Sequence, residues 1–118
     1  MAQVVLVSKD LGLASRLQGA AAALGLSLAI APEVKHLPGC LDLACRLVLL
    51  DLAEEGVRPA EVVPLVRADA PAARIVAFGP HVQQAVLAAA EAAGCDQVLS
   101  RGQFHGQYAT LLQQCRDT

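Results

Sequence analysis

Apolar residues come in short unbroken runs, each closed by polar or turn-forming residues, and between the runs they recur at helical spacing. Val4 to Val7 is the first run, closed by Ser8-Lys9-Asp10; Leu11, Ala14, Leu17, Ala21 and Leu24 then fall every three or four positions, which predicts a strand followed by a helix. Asp10 suits the cap of that helix and Gly25 the left-handed residue that ends it. Ser27 to Ala31 predicts a second strand, stopped by Pro32. From Glu33 to Cys45 the pattern is weakest and supports only a short helix before Pro38-Gly39. The longest apolar run follows, in Arg46 to Ala53, and ends in one acidic residue, Asp51. Pro59 suits the first turn of a helix carrying Val62, Val63, Leu65 and Val66, which Pro71 ends. Arg74 to Phe78 predicts a fourth strand, Val82 to Ala93 a helix closed by Gly94, Gln97 to Leu99 a fifth strand and Phe104 to Cys115 a last helix.

Five strands alternating with five helices predict an α/β domain built on a doubly wound parallel sheet. A strand apolar on both faces belongs in the middle of such a sheet, which places the Asp51 strand at the centre. The expected strand order is 2-1-3-4-5. Ligands of open parallel sheets bind at the carboxyl ends of strands where the order reverses, so Ser8, Lys9 and Asp51 are expected to converge.

Composition narrows the chemistry. A chain of 118 residues is about one domain, 1–118, large enough to bury a core without staples. Hydrophobic residues make up 55% but aromatic residues only 3%, so the core is built from Ala, Val and Leu and offers few rings for base stacking. The net charge of -2 and the lack of any Lys/Arg run argue against a nucleic-acid partner. No apolar stretch reaches the roughly 18 residues needed to span a bilayer, and the N-terminus does not read as a signal peptide; a cytoplasmic protein with no membrane partner is expected. Cys40, Cys45, Cys95 and Cys115 form no Cys-X-X-Cys and have no His at ligand spacing, so they read as buried hydrophobes or reduced thiols, with no metal. No dinucleotide or P-loop pattern follows any strand, Gly12 and Gly25 being isolated, and no cofactor is expected. His36 and His105 have no nucleophile partner, and His81 reads as a solvated loop residue on the pocket rim.

The chain resembles, over nearly its whole length, the receiver domain of bacterial two-component response regulators. The residues that carry the resemblance are Val4-Val5-Leu6-Val7, Leu47 through Asp51-Leu52, and Gly94-Cys95-Asp96-Gln97-Val98-Leu99-Ser100-Arg101. It implies a flavodoxin-like fold in which an acidic pair after the first strand holds magnesium and the aspartate ending the third accepts a phosphoryl group. It further implies a Thr or Ser ending the fourth strand, a Lys ending the fifth and an aromatic residue within the fifth. Matched residue by residue, Asp51 keeps the phosphoacceptor position. Ser8 and Lys9 replace the acidic pair, Gly79 the hydroxyl residue, Val98 the aromatic and Arg101 the Lys, with Gly102 where a Pro usually follows.

An ammonium in place of a carboxylate repels magnesium, and phosphoryl transfer depends on positioning and charge neutralisation that the metal largely supplies. The reading is a degenerate receiver, or pseudo-receiver: a stand-alone signalling or protein-interaction domain, not an enzyme, with no catalytic residue. Two alternatives remain: a genuine phosphoacceptor using Asp51, and a small-ligand or anion sensor at the switch-point crevice. Lys9 and Arg101 offer Asp51 cationic neighbours, either as a fixed charge cluster imitating one signalling state or as simple neutralisation of a leftover acidic pocket. Receivers commonly pair through the helix before the fifth strand, that strand and the last helix. Here that face carries Gln83, Gln84, Leu87, Gln107 and Gln114, with Leu87 expected to point outward if Val82, Val86, Ala89 and Ala93 face the sheet, and a weak homodimer or protein partner is expected there.

Overall fold

Alternation along the strands settles which residues meet which helices. The computed structural model describes residues 2–117, and its five strands are β1 (Val4–Val7), β2 (Leu28–Ala31), β3 (Leu47–Asp51), β4 (Arg74–Gly79) and β5 (Gln97–Ser100). All pair in parallel in the order β2-β1-β3-β4-β5, as the sequence predicts. Every residue of β1 and β3 is buried. Val5, Val7, Val48, Leu50, Ile75 and Ala77 form one core, while Val4, Leu6, Leu47, Leu49, Val76 and Phe78 form the other. The sheet is therefore covered on both sides, as continuous apolar strands require.

Among the described residues four α-helices flank it: α1 (Leu11–Ala23), α2 (Pro59–Asp69), α3 (Gln84–Ala92) and α4 (Arg101–Arg116). Residues of α1 and α4 pack on the Leu6/Leu49 side, those of α2 and α3 on the Val7/Leu50 side. The expected fifth helix is absent. Between β2 and β3 the chain makes two 3-10 turns, Val34–His36 and Pro38–Cys40, because Pro38 cannot donate into a continuing helix and only Leu37, Leu41 and Cys45 of this stretch are driven into the core.

Local signals account for most boundaries. Asp10 caps α1 by accepting the Leu13 N–H at 3.1 Å. Gly25 at φ +71° and Gly94 at φ +100° provide the left-handed residues after α1 and α3. Two helices differ from expectation. Ser100 and Gln103 form a reciprocal capping box, so α4 starts at Arg101 and not near Phe104. Pro80 and His81 open a turn in which the Gln83 N–H reaches the Pro80 carbonyl, so α3 starts two residues later than Val82. Its inner face also differs from the expected one: Val86, Leu87, Ala90 and Ala93 pack toward the core, and Ala89 and Val82 lie outside, Val82 being 75% exposed. Leu87 is half-buried, a correction to its expected outward position.

No helix among the described residues is long and apolar enough to cross a membrane. The four cysteines are free thiols.

Candidate functional site

The pairing of β1 with β3 brings Leu6 beside Leu49 and Val7 beside Leu50, and the next step brings Ser8 to Asp51. Both project on the α1/α4 side, the parity of Leu6 and Leu49. Ser8 and Asp51 are each 1% exposed, and they are the buried polar or charged residues among those described. A carboxylate withdrawn from water this far must be bonded and charge-paired. It is. The Ser8 hydroxyl donates to Asp51 Oδ2 at 2.7 Å, and the Ala53 N–H donates to Oδ1 at 3.0 Å. Arg101 Nη1 stands 3.3 Å from the same Oδ1. Ser8 is itself fixed, its oxygen accepting the Asp10 N–H at 3.0 Å.

Arg101 reaches Asp51 because it opens α4, directly after the Ser100 cap. Its second nitrogen, Nη2, lies 2.6 Å from Asp10 Oδ2, so one guanidinium bridges two carboxylates. The guanidinium does this with two separate nitrogens held in one plane, which fixes the direction of each bond. The fork also lies 5.8 Å from the centre of the Phe78 ring, and Phe78 stacks on Phe104 with centroids 3.9 Å apart. The Leu13 N–H above all, and the Arg101 guanidinium, hold the Asp10 carboxyl below its ordinary range against the opposing effect of burial.

Lys9 does not join this cluster. One residue beyond Ser8, it has the opposite parity; its ammonium lies 3.4 Å from Glu33, which Lys35 also engages at 3.3 Å, and its backbone N–H donates to Glu54. The expected convergence therefore holds for Ser8 and Asp51 and fails for Lys9. Lys35 first, then Lys9, holds the Glu33 carboxyl below its usual range. Lys9, Glu33, Glu54 and Glu55 border a cleft of about 380 Å³ beside the Asp51 pocket.

Gly79, Val98 and the α3 part of the candidate interface lie on the other side of the sheet, whereas Gln107 and Gln114 belong to α4 on the Asp51 side. Gly79 is buried, and a side chain there would meet Leu52, whose Cβ stands 3.1 Å from the place a Cβ would occupy. Val98 is half-buried against the α2/α3 core. Gln83, Gln84 and Gln107 are exposed; Gln84 donates to the His81 carbonyl, and exposed Gln114 accepts from Arg74 at the far end of β4. His81, also exposed, borders a groove of about 440 Å³ with Leu87 and Val98. Among the described residues no group of three or more His, Cys, Asp and Glu side chains is arranged to hold a metal ion.

Two features of the site escaped the sequence reading: the second arm of Arg101 on Asp10, and Leu52 filling the space at Gly79. The first joins residues 91 positions apart and has no local signal. The second was signalled by parity, since Leu52 follows Asp51 onto the opposite face.

No protein-family model and no curated protein sequence matches the chain. Solved structures do. The beryllofluoride-activated NtrC4 receiver domain dimer is similar at TM-score 0.73 and 13% identity, over 98% of this chain and 99% of that one. The receiver domain of NtrX from Brucella abortus is similar at TM-score 0.74 and 15% identity, over 98% of each chain. That of the sensor histidine kinase PA1611 from Pseudomonas aeruginosa PAO1, which carries a magnesium ion in its active-site cleft, is similar at TM-score 0.76 and 13% identity, over 99% of this chain and 98% of that one. With the strand order β2-β1-β3-β4-β5 and helices on both faces, the chain has the flavodoxin-like fold of response regulator receiver domains.

Proposed function

We propose that this protein is a pseudo-receiver: a signalling module of receiver fold that works by binding a protein partner or a second copy of itself, and in which Asp51 is held by Arg101 and is not switched by magnesium-dependent phosphorylation. The observation that carries this reading is the single guanidinium standing on both Asp51 and Asp10. Magnesium takes oxygen ligands in a near-octahedral shell and is usually held by carboxylates. Here Asp51 and Asp10 both face a fixed cation and Ser8 contributes a neutral hydroxyl. This donor set does not suit the metal. Phosphoryl transfer by positioning and charge neutralisation would have to proceed without it, and without a hydroxyl at Gly79.

The docking face in this reading comprises α3, β5 and α4, with Gln83, Gln84 and Gln107 exposed on it and Glu91 its charge along the groove. Uncharged amides do not hold a partner apart. The test is incubation of the wild type with acetyl phosphate and magnesium, followed by intact mass spectrometry. The expected result is no phosphorylated species. A phosphorylated species lost in Asp51→Asn would establish a phosphoacceptor and refute the reading.

A further inference from the structure

The site at Asp51 and the face built by α3 lie on opposite sides of the sheet, and one residue connects them. Leu52 follows Asp51 directly and is 6% exposed. Its N–H donates to the Phe78 carbonyl at 2.8 Å, which anchors its backbone to β4. Measured from the point a Cβ on Gly79 would occupy, Leu52 Cβ lies at 3.1 Å, Leu52 Cδ1 at 3.6 Å and Leu87 Cδ2 at 3.5 Å. Both leucines stand close to the bare backbone, and a side chain at Gly79 would press on Leu52.

Helix α3 meets β4, β5 and α2 mainly through small side chains. Of its described residues Ala90 alone is fully buried, and its capping residue Gln83 makes no side-chain cap bond. Val86 and Leu87 are half-buried, and Leu87 is the largest side chain α3 turns toward the core. The polar contacts of Asp51, by contrast, run to Ser8, Ala53 and Arg101, and none of these residues belongs to α3.

We propose that Leu52, Gly79 and Leu87 form an apolar latch that holds α3, and with it the groove beside β5, in one position whatever the charge at Asp51. The latch deepens the pseudo-receiver reading and rests on it: a module whose receiver site is locked presents a constant docking face. Packing of this kind is bistable or fixed and does not deform continuously, so seating Leu52 on Gly79 fixes Leu87 as well.

The experiment is amide hydrogen exchange and 15N chemical-shift mapping on the wild type, Leu52→Ala, Gly79→Ala and Asp51→Asn, with circular dichroism to confirm folding. Leu52→Ala should speed exchange in α3 about tenfold while β1 and β3 stay protected, because loss of local packing opens the least stable unit first. Gly79→Ala, which pushes Leu52 aside by tenths of an ångström and serves if Leu52→Ala does not fold, should shift the amides of Leu87 and its neighbours. Asp51→Asn should leave α3 exchange within about twofold of wild type. The latch is overturned if Asp51→Asn moves α3 as much as Leu52→Ala does, or if neither latch variant affects α3. Phosphate uptake from acetyl phosphate with α3 unmoved would refute the pseudo-receiver reading and support the latch, so the two fail separately.

Discussion

Replacing Arg101 with alanine removes the cation that stands on a carboxylate 1% exposed to solvent. At the observed separation of 3.3 Å and an effective dielectric near 20, the Arg101–Asp51 attraction is about 5 kcal/mol. Arg101 is 30% exposed, so water enters the space the guanidinium leaves and recovers part of that energy. Asp51 also keeps the Ser8 hydroxyl and the Ala53 N–H. Breaking a fully buried pair costs about 3–5 kcal/mol and an exposed one at most about 1, which puts this half-open pair near 2 kcal/mol. Urea unfolding followed by circular dichroism at pH 7 should show that loss, with an unchanged m-value. A double-mutant cycle with Asp51→Asn should return most of it as coupling energy, because the alanine has little to lose once the charge at position 51 is gone. If Arg101→Ala melts with the wild type, or the coupling is zero, the guanidinium does not hold Asp51 and the reasoning from the bridge fails.

Other expectations follow from the same geometry. Asp10→Asn keeps a capping side chain but loses charge on the exposed arm of the bridge, so it should cost less than about 1 kcal/mol at neutral pH. Because the folded Asp10 carboxyl sits below its ordinary value of 3.8, its contribution is present above that value and fades as pH falls through the folded one; the wild-type and Asp10→Asn unfolding curves should therefore converge in acid. Burial pushes the Cys45 thiol up from 9.0 to about 11 and raises Cys95 and Cys115 as well. The unfolded chain ionises first, so stability should decline as pH rises from about 9 toward 11, and a thiol reagent at pH 8 should modify half-buried Cys40 ahead of Cys45. Gly79→Ser should destabilise by about 1–2 kcal/mol by overpacking against Leu52, and intact mass spectrometry should find it no more phosphorylated by acetyl phosphate than the wild type.

Strands were legible because unbroken apolar runs bounded by turn residues have few other uses, and β1 and the core of β3 fall where the runs fall. Once five such runs alternate with helices, the order β2-β1-β3-β4-β5 and the meeting of Ser8 with Asp51 follow from crossover handedness and register. The segment after Pro32 was illegible because its contribution to the core is three scattered side chains, Leu37, Leu41 and Cys45, which specify no periodic face. The start of α3 was misplaced because Val82 looked like the first apolar position of a helix, whereas the turn from Pro80 leaves it in solvent. Taking Val82 and Ala89 as inward positions placed Leu87 on the wrong face. A substitution such as Leu87→Glu would therefore disturb packing as well as any contact on that surface. Lys9 was misassigned although parity was available: two residues after Val7 it points with the α2/α3 side, toward Glu33, while Ser8 follows Leu6 toward Asp51. Arg101 was legible as a cation near Asp51, but its span to Asp10 depends on where α4 begins, which the Ser100/Gln103 box determines.

Whether Arg101 holds Asp51 in a site which does not take up magnesium and phosphate can be read by adding magnesium and beryllofluoride to the 15N-labelled wild type and following its amide spectrum. The resonances of Asp51, Leu52, Ala53, Gly79 and Arg101 should stay in place up to millimolar additions. Saturable shifts at these residues that require both magnesium and beryllofluoride, and that vanish in Asp51→Asn, would contradict this expectation.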